Sequence, residues 1–154
     1  MKKGYKKPNL ESKYFDELFE SLPSLEDKTV LITGTTTGTG YTAAEACGKL
    51  GAKVVLLNRP SERAKTSFEK LKETTSNGSF YPIDCDLQSF ASVRDCIPKI
   101  NELCPEGIDV LCNNAGVMAL EDMPTDDGYD IQMQTNHLSH FLLTKLLWPL
   151  LEKA

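Results

Sequence analysis

Thr29-Val30-Leu31-Ile32-Thr33-Gly34-Thr35-Thr36-Thr37-Gly38-Thr39-Gly40 is the stretch on which the reading of the fold turns. Its start, Thr29 to Ile32, is apolar and β-branched, the composition of a short buried strand. The glycines that follow are spaced for a strand-turn-helix corner. Gly34 lets the chain turn sharply off the strand. Gly38 lets a phosphate approach the backbone with no Cβ in its way, and Gly40 lets the next helix pack close. The helix that begins there offers unsatisfied N–H groups and the positive end of its dipole to an anion. The Thr hydroxyls add donors. A plain connecting loop is the competing reading of the same glycines.

Outward from this corner, short apolar runs alternate with helical patterns. Thr39 to Leu50 reads as a helix with small, packable Ala43, Ala44, Ala46 and Cys47, stopped by Gly51. Lys53 to Leu57 is a second strand and Ser61 to about Thr74 a charged helix. Ser76-Asn77-Gly78 is a turn, and Phe80 to Ile83 a third strand. Phe90 to Leu103 is a helix with Val93, Ile97 and Ile100 on one face, broken by Pro105-Glu106-Gly107. Ile108 to Cys112 is a fourth strand, and a last long helix starts near Asp126 or Asp127 and runs past Phe141. This alternation predicts an α/β fold, a doubly wound parallel sheet in the order 3-2-1-4. The ligand crevice then lies between the first and fourth strands, where the winding reverses. Residues 1–27 form an extension. There Leu10, Tyr14, Phe15, Leu18, Phe19 and Leu22 recur at helical spacing, with Asn9 as cap and Pro23 as stop. That short amphipathic helix is expected to dock on its own domain; binding a partner chain is the alternative.

The 154 residues carry 17 Lys+Arg against 22 Asp+Glu, a net charge of −5, which argues against a nucleic-acid binder. No apolar run approaches the ~18 residues of a membrane span, and no apolar segment backs the Lys-rich N-terminus as a secretory signal would. Cys47, Cys85, Cys96, Cys104 and Cys112 are odd in number and include no C-x-x-C. They read as free thiols in a reducing compartment, and their spacing offers no metal site. The expected location is cytoplasmic.

Four elements, in order, carry a resemblance. They are T-G-x-x-x-G-x-G at Thr33–Gly40, Asp86-Leu87 after the third strand, Asn113-Asn114-Ala115-Gly116 at the end of the fourth, and Thr135-Asn136-His137-Leu138-Ser139-His140-Phe141 in the last helix. From about Lys28 to Ala154 the chain resembles the short-chain dehydrogenase/reductase family. The final stretch is similar to the N-H-L-G-H-F segment of its retinol-dehydrogenase-like and protochlorophyllide-reductase-like branch. The resemblance implies a Rossmann-type domain over 28–154 and an oxidoreductase acting on a carbonyl or alcohol, or on a C=C bond. It implies cofactor contacts from Gly34, Thr36, Thr37, Gly38, Thr39 and Gly40, from Asp86 and Leu87 at the adenine, and from Asn113, Ala115 and Gly116. Thr39 stands where the family usually has Ile or Leu.

The choice between the two nicotinamide dinucleotides falls at the end of the second strand. An acid there would bond the ribose 2′-OH and repel a 2′-phosphate. This chain has Asn58-Arg59, with Arg63 one turn further and Lys65 near. Repulsion is absent, and an Arg can clamp a phosphate through a charge-assisted fork. NADP(H) is therefore expected over NAD(H); a solvated loop charge is the other reading of Arg59.

Family catalysis uses Asn, Ser, Tyr and Lys, with Tyr and Lys spaced Y-x-x-x-K so that both reach one pocket. Here the residues four after each tyrosine are Asn9, Leu18, Glu45, Cys85 and Met133. Of the four catalytic groups only Asn136 is matched. The expectation is the nucleotide-binding part of an NADP(H)-dependent oxidoreductase acting on a small molecule. The alternative is a truncated, inactive relative that binds NADP(H) or pairs with a complete family member. A chain ending at Ala154 should leave Ile108, Val110 and Leu111 on an open sheet edge. The last helix is apolar nearly all round, through Phe141, Leu142, Leu143, Leu146, Leu147, Trp148, Leu150 and Leu151, so homo- or hetero-oligomer contacts are expected along residues 138–151. Pro149 should distort or end it. His137 and His140 are read as helix residues rather than a metal pair. Asp84 and Asp86 are read as the adenine-side end of a strand rather than a catalytic pair. Glu121, Asp122, Asp126 and Asp127 are read as a solvated loop and helix start.

Overall fold

The computed structural model describes residues 15–75 and 78–154, with side chains from Glu17 onward. Four strands form one parallel sheet: β1 (Thr29–Thr33), β2 (Lys53–Asn58), β3 (Ser79–Asp84) and β4 (Val110–Cys112), in the order β3-β2-β1-β4. Leu31 is level with Val55 and Leu111, and Val55 with Tyr81. The expected doubly wound topology is the observed one.

Side chains of adjacent strand residues point to opposite faces, and each face has its own core. Leu31, Val55 and Leu57 pack with Val93, Cys96 and Ile100 of α4 (Phe90–Leu103) and with Leu143, Leu147 and Leu150 of α6 (Ser139–Leu151). Val30, Ile32, Val54 and Leu56 pack with Ala44 of α2 (Gly38–Lys49) and Leu71 of α3 (Glu62–Thr74). Both faces of the two central strands are thus covered, which is why their sequence reads as unbroken apolar runs.

Several boundaries differ from the sequence reading. The last helix starts at Ile131, not at Asp126 or Asp127. Asp130 is its N-cap, its Oδ1 accepting the Met133 N–H at 2.8 Å. It runs as α5 (Ile131–Met133), then a π-helical turn, Gln134–Leu138, then α6. Asp127 sits in a turn closed by the Gly128 N–H donating to the Thr125 carbonyl. Its carboxylate accepts the Phe90 N–H at 2.8 Å and so completes the start of α4. α6 continues two residues past Pro149, which lies exposed in its last turn. Ile108 is buried rather than on an edge, its N–H donating to the Leu150 carbonyl at 3.1 Å. Val110 is exposed and Leu111 half-buried on the short edge strand β4. α6 buries one face fully, but Phe141 and Trp148 are 66% and 55% exposed.

In the N-terminal extension, α1 covers Phe15–Glu20; the cap at Asn9 and the first helical residues expected before it lie outside the described residues. Leu18 and Leu22 are exposed, so this helix does not bury them on the domain. Leu25 does the docking. It packs against the α2 side of the core, and its N–H donates to the Leu50 carbonyl at 2.8 Å. Of the expected Ser76-Asn77-Gly78 turn, the first two residues lie outside the described residues.

Asp109 ties the entries of β1 and β4. Its carboxylate accepts the Thr29 N–H and a Lys28 ammonium proton, both at 2.8 Å. These partners, Lys28 first, hold its carboxyl below the usual range. The stability it contributes is therefore present above the ordinary carboxylate range and is lost as pH falls through the lowered value. Asp109→Ala is expected to cost about 1–2 kcal/mol at pH 7. Urea midpoints of the two proteins should converge as the pH is taken below 3.

Candidate functional site

At the carboxyl end of the sheet, β1 and β4 part and leave a cavity of about 480 Å³. The glycine loop forms one wall, the segment after β4 another, and the ends of β2 and β3 the floor. Gly34 (φ +73°) turns the chain off β1, and its N–H donates to the Leu57 carbonyl at 2.9 Å. Gly38 also has positive φ, +65°, and the space where a Cβ would stand is empty out to 4 Å. Gly40 is where the loop is tightest: a Cβ there would lie 2.3 Å from both Asn114 Nδ2 and the Gly34 oxygen.

Asn114 is what fills that corner. Its Nδ2 donates to the carbonyls of Thr33 (2.9 Å) and Gly34 (3.1 Å), and its Oδ1 accepts from the Thr39 hydroxyl at 3.0 Å. The Thr39 hydroxyl, the departure from an aliphatic residue, is thus used to hold the loop to the strand end. Sequence reasoning named Asn113, Ala115 and Gly116 but not Asn114. Asn113 does not line the cavity; its Nδ2 donates to Thr144 Oγ1 on α6 at 3.0 Å. Ala115 and Gly116 do line it.

The other predicted residues gather here unequally. Gly34, Thr36, Thr37, Gly38, Thr39, Asn58, Arg59, Asp86 and Leu87 line the cavity, while Gly40 is buried behind it. Asn58 lies on the wall with its amide turned away. Oδ1 accepts the Thr35 N–H and Nδ2 donates to Thr35 Oγ1, both at 2.8 Å. Arg59 is exposed, and its guanidinium makes no hydrogen bond or ion pair among the described residues. Arg63 joins it on the rim, with Nη2 donating to Thr37 Oγ1 at 2.5 Å. Lys65 is outside the cavity, paired with Glu62. Asp86 Oδ1 accepts the Gln88 N–H at 2.9 Å, and the Leu87 carbonyl accepts from the Ser139 hydroxyl at 2.6 Å. Asp84 is exposed at the end of β3.

The N-termini of three helices differ in one respect. Ser61 caps α3 and Ser89 caps α4 through their hydroxyls. Thr37, the N-cap of α2, makes no such bond. The first N–H groups of α2 are left for whatever enters the cleft.

Asn136 sits in the π-turn and is exposed, outside the cavity lining. Its amide clasps the backbone of Val117, Oδ1 accepting the N–H and Nδ2 donating to the carbonyl, both at 2.8 Å. Thr135 beside it is buried on the cleft wall, and its hydroxyl has no partner. Thr135 stands in the Thr135–Phe141 motif beside Asn136, on which the expected role falls. His137 is exposed and His140 buried, so they do not face one another as a pair.

A model of the family described as "short chain dehydrogenase" matches residues 28–154. Human polyprenol dehydrogenase is 36% identical over 132 residues, which cover 86% of this chain and 40% of that protein. Human retinol dehydrogenase 13 is 37% identical over 127 residues, 82% of this chain and 38% of that one. Among solved structures, Pseudomonas aeruginosa RhlG in an active-site complex with NADP superposes with a TM-score of 0.68. It is 32% identical and matches over 82% of this chain and 49% of that one. The chain thus spans about 40% of the length of the two curated relatives.

Because Gly40 faces backbone as well as Asn114, Gly40→Ala has to move the loop. It is expected to cost about 1–3 kcal/mol. Gly38→Asn puts its side chain into open space at a backbone angle Asn tolerates, and should stay within about 1 kcal/mol of wild type. Thermal unfolding of the two variants checks the contrast.

Proposed function

Since the chain belongs to the short-chain dehydrogenase family, on its retinol-dehydrogenase-like branch, we propose that it forms the NADP(H)-holding part of an oxidoreductase acting on a carbonyl or alcohol. The observation that carries this reading is the uncapped start of α2, open to a cleft whose rim bears Arg59 and Arg63. The residues fit a dinucleotide. Gly38 leaves room at the backbone, the α2 N–H groups suit a pyrophosphate, and Asp86 and Leu87 border the adenine end. Two guanidiniums near Asn58, with no acid at that position, suit a 2′-phosphate. When bound, the nicotinamide accepts or gives a hydride. This chain's part is to hold and orient it: Ala115 and Gly116 form the opposing wall, and Asn136 fixes Val117 behind them.

Asn136 is the single family catalytic position that the 154 residues match, so a Ser and a Y-x-x-x-K pair would complete the chemistry. A second reading, pairing through α6, is favoured by the exposed rings of Phe141 and Trp148. A monomer with full nucleotide affinity would remove it.

NADPH is expected to bind this chain at least 10-fold more tightly than NADH. Replacing Arg59 and Arg63 together by Ala should weaken NADPH by about 10–100-fold, the worth of one or two charge-assisted bonds, and leave NADH nearly unchanged. Gly38→Trp should abolish binding of both. Calorimetric titration reads all three, and equal affinity for NADPH and NADH in the wild-type chain would overturn the choice of cofactor.

A further inference from the structure

At the end of β1, two side chains meet that the nucleotide reading does not use. Thr33 is buried, and its Oγ1 accepts the N–H of Asn114 at 3.0 Å and of Ala115 at 2.9 Å. The same oxygen lies 2.9 Å from His140 Nε2. His140 is buried too, with Nδ1 3.1 Å from the Asn136 carbonyl oxygen.

A hydroxyl has two lone pairs and one proton. Both lone pairs of Thr33 face amides, the Asn114 N–H being shared with the Cys112 carbonyl at 3.0 Å, so its proton goes to His140. Nε2 is then an acceptor, and the ring proton sits on Nδ1. On that side the facing atom is a carbonyl oxygen, which only accepts. Each end of the ring therefore demands the same tautomer independently.

We propose that His140 is a positioning residue: as a neutral imidazole protonated on Nδ1, it links the Asn114–Ala115 turn, through Thr33, to the backbone of Asn136. The turn is one wall of the cleft, and Asn136 grips Val117 three residues beyond its start. The segment 114–117 is thus held at two points that His140 connects. Among the described residues no charged side chain contributes to the proton balance of the ring. Burial, the larger effect, disfavours a second proton, while the Asn136 carbonyl favours it. Thr144, one turn on, donates its hydroxyl to the His140 carbonyl and leaves the ring to its two partners.

The structural part of this inference stands by itself, and its effect on the cleft rests on the nucleotide reading. A long-range proton–nitrogen correlation spectrum of the intact chain at neutral pH should show Nδ1 carrying the proton and Nε2 bare. A proton on Nε2, or on both nitrogens, overturns the proposal. His140→Asn keeps a donor near the Nδ1 position and loses Nε2. In it, amide exchange at Asn114 and Ala115 should quicken about tenfold, the scale of one lost hydrogen bond, while Val54 and Leu56 in the central strand keep their rates. Unchanged exchange at the turn, or a rise shared by the whole sheet, overturns the positioning role. NADPH affinity in the variant should fall about 3–10-fold; an affinity equal to wild type severs His140 from the cleft. Failure of the wild-type chain to bind NADPH would sink the nucleotide reading instead, and the tautomer and exchange results would still decide this one.

Discussion

Where two parallel strands part, their backbone groups run out of ladder partners, and at the end of β1 this happens beside the cleft. Buried backbone groups left unpaired there would each cost about 1–3 kcal/mol. Asn114 and Thr33 meet the need with side chains. Asn114 donates to the carbonyls of Thr33, the last residue of β1, and of Gly34, and Thr33 accepts the amides of Asn114 and Ala115, the second and third residues after β4. The crevice can open only because this seam is closed behind it. The glycine loop, through Gly34 and Thr39, and Ala115 are both tied to that pair of side chains.

The same economy of partners explains what remains available. Asn58 is spent on Thr35, Thr39 on Asn114 and Asn136 on Val117. What the cleft still offers is the α2 amides, the Thr135 hydroxyl, and two guanidiniums on the rim. An anionic ligand therefore meets donors at the α2 start and along the rim, away from the Asp86 carboxylate, inside a chain whose net charge is −5. The charge of the whole chain says little about this end of its site, where backbone amides and two arginines set the local balance.

The fold was legible because its signals are local. Apolar β-branched runs of strand length, glycines at the corner and small residues on α2 can each be read from a few neighbouring residues. Cleft residues near the glycine loop were legible for the same reason. What escaped depended on distance along the chain. Asn114 gave no sign that it would bind residues about 80 positions upstream, and His140 none that it would meet Thr33. The helix start was misplaced at Asp126 or Asp127 because acids suit many helix starts. Asp130 takes the role, and Asp127 serves α4, 37 residues away in sequence. Asn113 and Asn114 are adjacent and identical, so only the pleat decides which one turns inward.

The π-turn between α5 and α6 has a consequence for helical phase. Ile131, Thr135, Ser139, Leu143 and Leu147 are all buried, a stride of four held for four steps. An α-helix turns about 100° per residue, so four such steps would drift about 160° round the axis and carry Leu147 to the far side from Ile131. The wider π-turn absorbs one extra residue and takes back about 100° of that drift. It works as a vernier, letting one continuous helix keep a single face against the sheet over its whole length. Shortening the turn by one residue would leave the apolar content of the chain untouched and set everything beyond it out of step.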